Sequence, residues 1–127
     1  MKVQLKKALK CLPIFEELKN KKLPIRVAYK LSRLAKEIRT HEEFYKEQIS
    51  LIITENAMFD ENGQLVLAED GQSFCVTPGK EKACYLQISE LENLEIELPN
   101  LYFLLEELED LKFTLAEIEI LFPFLQE

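Results

Sequence analysis

Thirty-two residues follow Pro24, up to Asn56, with neither a glycine nor a second proline among them. Through that run Val27, Leu31, Leu34, Ile38, His41, Tyr45, Gln48 and Ile52 recur at alternating spacings of four and three. This period marks one stripe of an α-helix, an a/d seam with His41 and Gln48 as its polar members. Pro24 suits the first position of such a helix, where its missing N–H is no loss. A helix of about 30 residues is roughly 45 Å long, whereas a compact chain of 127 residues has a radius of gyration of about 14 Å. Part of the seam is therefore expected to lack an intrachain partner and to pack against a second copy, giving a homo-oligomer with the eight seam residues at its interface.

Shorter elements are expected on either side of this helix. "VQLKKALKCL" reads as an amphipathic helix, bent or broken at Pro13 before it continues into "IFEELKN"; "KNKK" makes a turn. After Asn56 the period changes. "QLVLA" and "SFCVT" are β-type runs joined through Asp70-Gly71, which supplies the positive φ of a tight turn, so a β-hairpin is predicted from about 64 to 77. Helical spacing resumes in "KEKACYLQISELENL", "EIEL" alternates as a short strand stopped by Pro99, and "YFLLEELEDLKF" is open between strand and helix. Thr114 and Glu117 form a capping box ahead of a last helix, which Pro123 closes. The expected fold is α+β: one domain spanning residues 1–127, predominantly helical, with one long central helix, a β-hairpin and a short additional strand.

The composition, 47% hydrophobic and 31% charged with three glycines, is that of a folded, helix-rich chain. No stretch has the apolar length of a membrane span, and lysines interrupt the N-terminal segment where a secretory signal needs an apolar block. A cytoplasmic location and no membrane partner follow as expectations. Cys11, Cys75 and Cys84 are odd in number, lack C-x-x-C spacing and have only His41 to join them; reduced thiols at apolar positions are expected, and no metal site.

Signatures of catalysis are missing. No G-x-x-x-x-G-K-[ST], G-x-G-x-x-G or G-x-S-x-G run occurs, and a single histidine excludes H-E-x-x-H. Asp60, Asn62 and Gln64 mimic the first ligands of a calcium loop, but Leu65 and Gly71 stand where that loop needs its glycine and glutamate. Glu106, Glu107, Glu109 and Asp110 lie among leucines, as on the wet face of a buried element. No enzyme activity and no cofactor are expected.

Charge is unevenly spread. Residues 1–46 hold 13 Lys and Arg against five acids, and residues 47–127 hold three Lys against 18 acids. Either the halves neutralise each other, within the fold or between subunits, or the basic half attracts an anion. Arg26, Lys30 and Arg33 fall on one face of the long helix, flanked by Tyr29 and Lys36, and no carboxylate occurs between Glu17 and Glu37. This row is a candidate site for phosphate near a helix start, with Tyr29 able to stack on a base. A solvated face, or a docking strip for the acidic half, is the other reading. His41 is an interface histidine, or else a pH-sensitive contact or a ligand to a bound phosphate. With a pI near 4.9 and no nucleic-acid motif, duplex binding is not expected.

The runs "LPIRVAYKLSRLAKEI", "FDENGQLVLAEDG", "LQISELENLEIELPN" and "LKFTLAEIEILFPF" resemble a group of small phage and prophage proteins. They share a leucine-proline start to a long basic helix, a "DENG" turn and a C-terminal helix ending in "PF". The resemblance implies a non-catalytic phage accessory protein in the host cytoplasm. Its expected role is counter-defence by sequestering an anionic ligand such as an immune-signalling nucleotide, for which the row of Arg26, Tyr29, Lys30, Arg33 and Lys36, read from its spacing and not from the resemblance, is the candidate site. The alternatives are a phage assembly or scaffold-like interaction factor, and an inhibitor that binds a host defence protein directly.

Overall fold

In a computed structural model covering residues 1–127, the long seam is one continuous helix. The elements run β1 (Lys2–Gln4), α1 (Leu5–Leu18), α2 (Ile25–Asn56), α3 (Glu81–Glu92), β2 (Glu95–Glu97), β3 (Phe103–Leu104), α4 (Leu115–Leu121) and β4 (Leu125–Gln126), with 3-10 turns at Leu105–Leu108 and Phe122–Phe124. The fold is α+β, with small two-stranded sheets, and none of its helices is long and apolar enough to cross a membrane. The chain forms two compact units: residues 1–42 with 94–127, and residues 43–93.

In the first unit β1 pairs antiparallel with β2, Val3 opposite Ile96, both buried. The chain turns from β1 straight into α1, whose first amide, on Leu5, donates to the carbonyl of Leu94 at 2.8 Å in place of a side-chain cap. Leu5, Ala8, Cys11, Leu12, Phe15 and Leu18 recur every three or four residues and form the buried stripe of α1. The helix is not broken at Pro13. That residue is exposed, and α1 runs on to Leu18 past the hydrogen bond that its missing N–H cannot make.

Phe15 is the centre of this core, with the ring of Phe103 at 6.4 Å and that of Phe124 at 6.1 Å, both inclined to it as aromatic pairs prefer. Those partners come from β3 and from the turn before β4, which pairs parallel to β3. α4 packs on α1. Its start is the capping box: the Thr114 hydroxyl accepts the amide of Glu117 at 3.1 Å, and the Glu117 carboxylate accepts the amide of Thr114 at 2.9 Å. Val27, Leu31, Leu34 and Ile38 of α2 are at most 6% exposed here. This half of the expected oligomer interface is already covered by the chain's own residues.

In the second unit α2 ends at Asn56, which is buried and hydrogen-bonded by its amide to the Ile52 carbonyl (2.9 Å) and to Gln87 of α3 (2.6 Å). Lys80 donates to the Glu55 carbonyl at 2.8 Å, placing a cation on the negative end of the helix. The hairpin expected at 64–77 is part of a larger motif. Three short extended segments, 57–59, 65–67 and 74–76, are bridged pairwise: Ala57 with Val76, Phe59 with Leu65, Leu67 with Phe74. Three hydrogen bonds close the ring, from Met58 N–H to the Cys75 carbonyl, Cys75 N–H to Val66 and Val66 N–H to Met58, at 2.8 to 3.0 Å.

Two carboxylates fold the loops of this ring. Asp60 accepts the amides of Asn62 and Gln64, and Asp70 accepts those of Gln72 and Ser73 and the Ser73 hydroxyl. Gly63 and Gly71 supply the positive φ at which each turn reverses. Of the remaining seam residues, Ile52 is buried in this unit and Tyr45 and Gln48 are half-buried; His41 is half-buried in the first.

Candidate functional site

α2 turns about 100° per residue. The buried stripe of Val27, Leu31, Leu34 and Ile38 therefore has Arg26, Lys30 and Arg33 along one side and Ala28, Ser32 and Arg39 along the other. In the absence of any acid in its first turn, the helix start keeps its positive dipole unopposed on α2 itself.

The row does not stand free. Lys30 Nζ donates to Glu107 Oε1 at 2.8 Å, and both side chains are largely covered, 23% and 13% exposed. The same carboxylate accepts the Leu104 amide at 2.8 Å. The bond from Lys30, then that from Leu104, hold the Glu107 carboxyl below its ordinary value, with a smaller contribution from the nearby Arg26 charge. Arg26, Arg33 and Lys36 are exposed, with Ile25 84% and Tyr29 60% exposed beside them. Leu105, in the same turn as Glu107, is also exposed. The predicted ligand residues thus occupy one helix face, as the spacing required, but the central cation is already neutralised from within the chain.

The ion pair is the local form of a wider neutralisation. The first unit holds 13 Lys and Arg and 13 Asp and Glu, and the second three Lys and ten acids, which leaves a net charge of zero on one and −7 on the other. In the first unit the basic N-terminal segment is folded together with nine of the 18 carboxylates of the acidic half. Its long-range pull on an anion is consequently weak, and recognition there depends on contact.

A cleft of about 230 Å³ opens on the other side of the α2 stripe, floored by Phe15, Leu23 and Leu31, with Lys19, Lys21 and Arg39 among its lining. Arg39 and Lys19 both bond to Glu16, whose carboxyl is lowered chiefly by the Arg39 hydrogen bond. Lys19 and Lys21 carry no signal of a site in the sequence, where "KNKK" is only a turn and no periodicity links it to Arg39. A broader groove of about 620 Å³ is lined by Lys7, Lys10, Glu119, Ile120 and Phe122. No group of three or more His, Cys, Asp or Glu side chains is placed to hold a metal ion. Cys11, Cys75 and Cys84 are free thiols. No protein-family model, curated protein or solved structure matches this chain.

Proposed function

We propose that the chain is a non-catalytic phage accessory protein that acts by stoichiometric binding, and that it engages an acidic protein surface through the start of α2. The observation that carries this reading is the composition of that face. Arginines, an exposed tyrosine and an exposed isoleucine stand together on a convex helix: Ile25, Arg26, Tyr29 and Arg33. Tyr and Arg are the side chains that most often carry the energy of protein interfaces, Tyr through large rigid contact area and Arg through its forked donors. Lys30 fixes Glu107 and thereby the Leu105 turn next to the arginines, so it contributes to the shape of the surface rather than to the free charge.

The phage assignment rests on the sequence resemblance. Within it, an inhibitor of a host protein and an assembly factor use the same surface chemistry. Sequestration of a signalling nucleotide is the second reading. The exposure of Tyr29 next to Arg33 favours it, since the pair could stack on a base and bind its phosphate.

The test compares the wild-type chain with an Arg26→Glu/Arg33→Glu variant. Both are used to capture host and phage proteins and, in native mass spectrometry, are incubated with cyclic and linear nucleotides. An acidic protein bound in fixed ratio by wild type, lost from the variant and released by salt, supports the proposal. A nucleotide adduct lost from the variant and recovered unaltered replaces it with sequestration. Partners retained equally by both proteins would make the row a solvated face.

A further inference from the structure

The ring of residues 57–59, 65–67 and 74–76 has a side on which all six bridged residues are apolar. Directly opposed residues in an antiparallel bridge project to the same side, and so do residues two apart along an extended segment. Following the three bridges round the ring therefore puts Ala57, Phe59, Leu65, Leu67, Phe74 and Val76 on one side. Ala57 is buried and Phe74 and Val76 are half-buried, but Phe59, Leu65 and Leu67 are 46%, 36% and 48% exposed. Three large apolar side chains on one rigid motif form a surface that water covers poorly.

Within the stretch of chain that forms the ring the charges have one sign. From Glu47 to Gly79 there is no Lys or Arg, while Glu47, Glu55, Asp60, Glu61, Glu69 and Asp70 fall within the same stretch. The unit's three cations, Lys46, Lys80 and Lys82, all lie outside it. Because its three segments are each hydrogen-bonded to both others, the ring offers little free edge for strand addition, and recognition falls to side chains.

We propose that the Phe59–Leu65–Leu67 face is a docking site for a cationic, amphipathic segment of another protein. Its apolar side chains cover the face and its Lys or Arg side chains meet the surrounding acids. Charge complementarity selects this occupant. A second copy is the weaker match: its own second unit carries −7, its first unit is net neutral, and on the cationic face of α2 Lys30 is already paired with Glu107, which leaves Arg26, Arg33 and Lys36 as the exposed cations there. The site belongs to the second unit and does not depend on the arginine face of α2.

The probe is a fluorescently labelled 14-residue amphipathic Leu/Lys helix, titrated with the full chain and followed by anisotropy. Binding is expected, weakening as salt rises, and a Phe59→Ser/Leu67→Ser variant is expected to bind about tenfold less tightly or worse. Since both side chains are nearly half exposed, the variant should retain its circular dichroism, and Glu61→Lys/Glu69→Lys tests the same site without touching the apolar residues. The Arg26→Glu/Arg33→Glu variant should bind as wild type does. A Leu/Glu helix of the same pattern should not bind. No binding of the Leu/Lys helix, equal binding by the serine variant, or equal binding of a Lys/Ser peptide would each overturn the proposal. So would self-association of the protein alone that the serine variant abolishes, which would make a second copy the occupant.

Discussion

Lys30 and Glu107, 77 residues apart in sequence, meet at 2.8 Å with both side chains largely covered. A pair at this depth has lost much of its hydration, so removing one member leaves the other poorly solvated. Lys30→Met is expected to destabilise the chain by about 1–3 kcal/mol, measured by urea unfolding at pH 7. The pH dependence has a defined sign. The Glu107 carboxyl is held below its ordinary 4.5 in the folded chain, so its contribution is complete above 4.5 and is lost as pH falls through the lowered value. The gap between wild type and Lys30→Met should therefore close in acid. A gap that stays constant from neutral pH to below pH 3 would mean that the pair does not carry the difference.

The same pair marks where sequence reading stops. Pro24, the unbroken seam and the Thr114–Glu117 box are local signals, and α2 and α4 begin and end close to where those signals place them. Nothing local in the sequence signals strands β1 and β4. They are three and two residues long and are paired to partners far away in sequence, while Val3 fits a helical stripe as well as a strand. In the ring, Asp70-Gly71 announces a turn, but residues 57–59 carry no strand signal of their own, because only their bridges to 65 and 76 make them extended. The basic row was legible as a helix face. Its neutralisation was not, because nothing local relates Lys30 to a carboxylate 77 positions later. For the same reason the charge asymmetry of the sequence could not say that one unit ends neutral and the other at −7.

Asn56 should matter more than its place at a helix end suggests. Its buried amide bonds both the Ile52 carbonyl and Gln87 of α3, and its own carbonyl accepts the Thr77 amide at 2.8 Å. Asn56→Ala removes two hydrogen bonds and leaves Gln87 short of a donor, for an expected loss of about 1–3 kcal/mol. Hydrogen exchange distinguishes a local effect from a global one. The Thr77 amide should lose protection before the Leu5 amide, which bonds to Leu94 in the other unit. Equal loss at both amides would show that the two units open together.

Gly71 is a backbone position and not a packing one. Its φ is +72°, and a Cβ built there meets nothing within 4 Å. Gly71→Ala should consequently cost about 1–2 kcal/mol from the left-handed conformation alone. Gly71→Asn should cost less, because Asn tolerates that region. Thermal unfolding of the two variants gives the order directly. Asparagine falling below alanine would mean that the Asp70 turn is disturbed by the side chain itself.

The thiols should react in a sequence set by burial. Cys11 has no exposed surface, its Sγ lies 3.5 Å from the carbonyls of Lys7 and Ile120, and burial pushes its pKa up to about 12. At pH 8 only about one Cys11 in 10,000 is then a thiolate, the form that attacks an alkylating reagent. Cys84 is 3% exposed in α3, whereas Cys75 is half-buried in the ring. Iodoacetamide at pH 8 followed by peptide mass spectrometry should mark Cys75 first. Cys11 and Cys84 should be labelled only at the rate at which their own units open, and low concentrations of urea should speed them far more than Cys75. Alkylation of Cys11 in the native protein as fast as that of Cys75 would contradict its burial between α1 and α4.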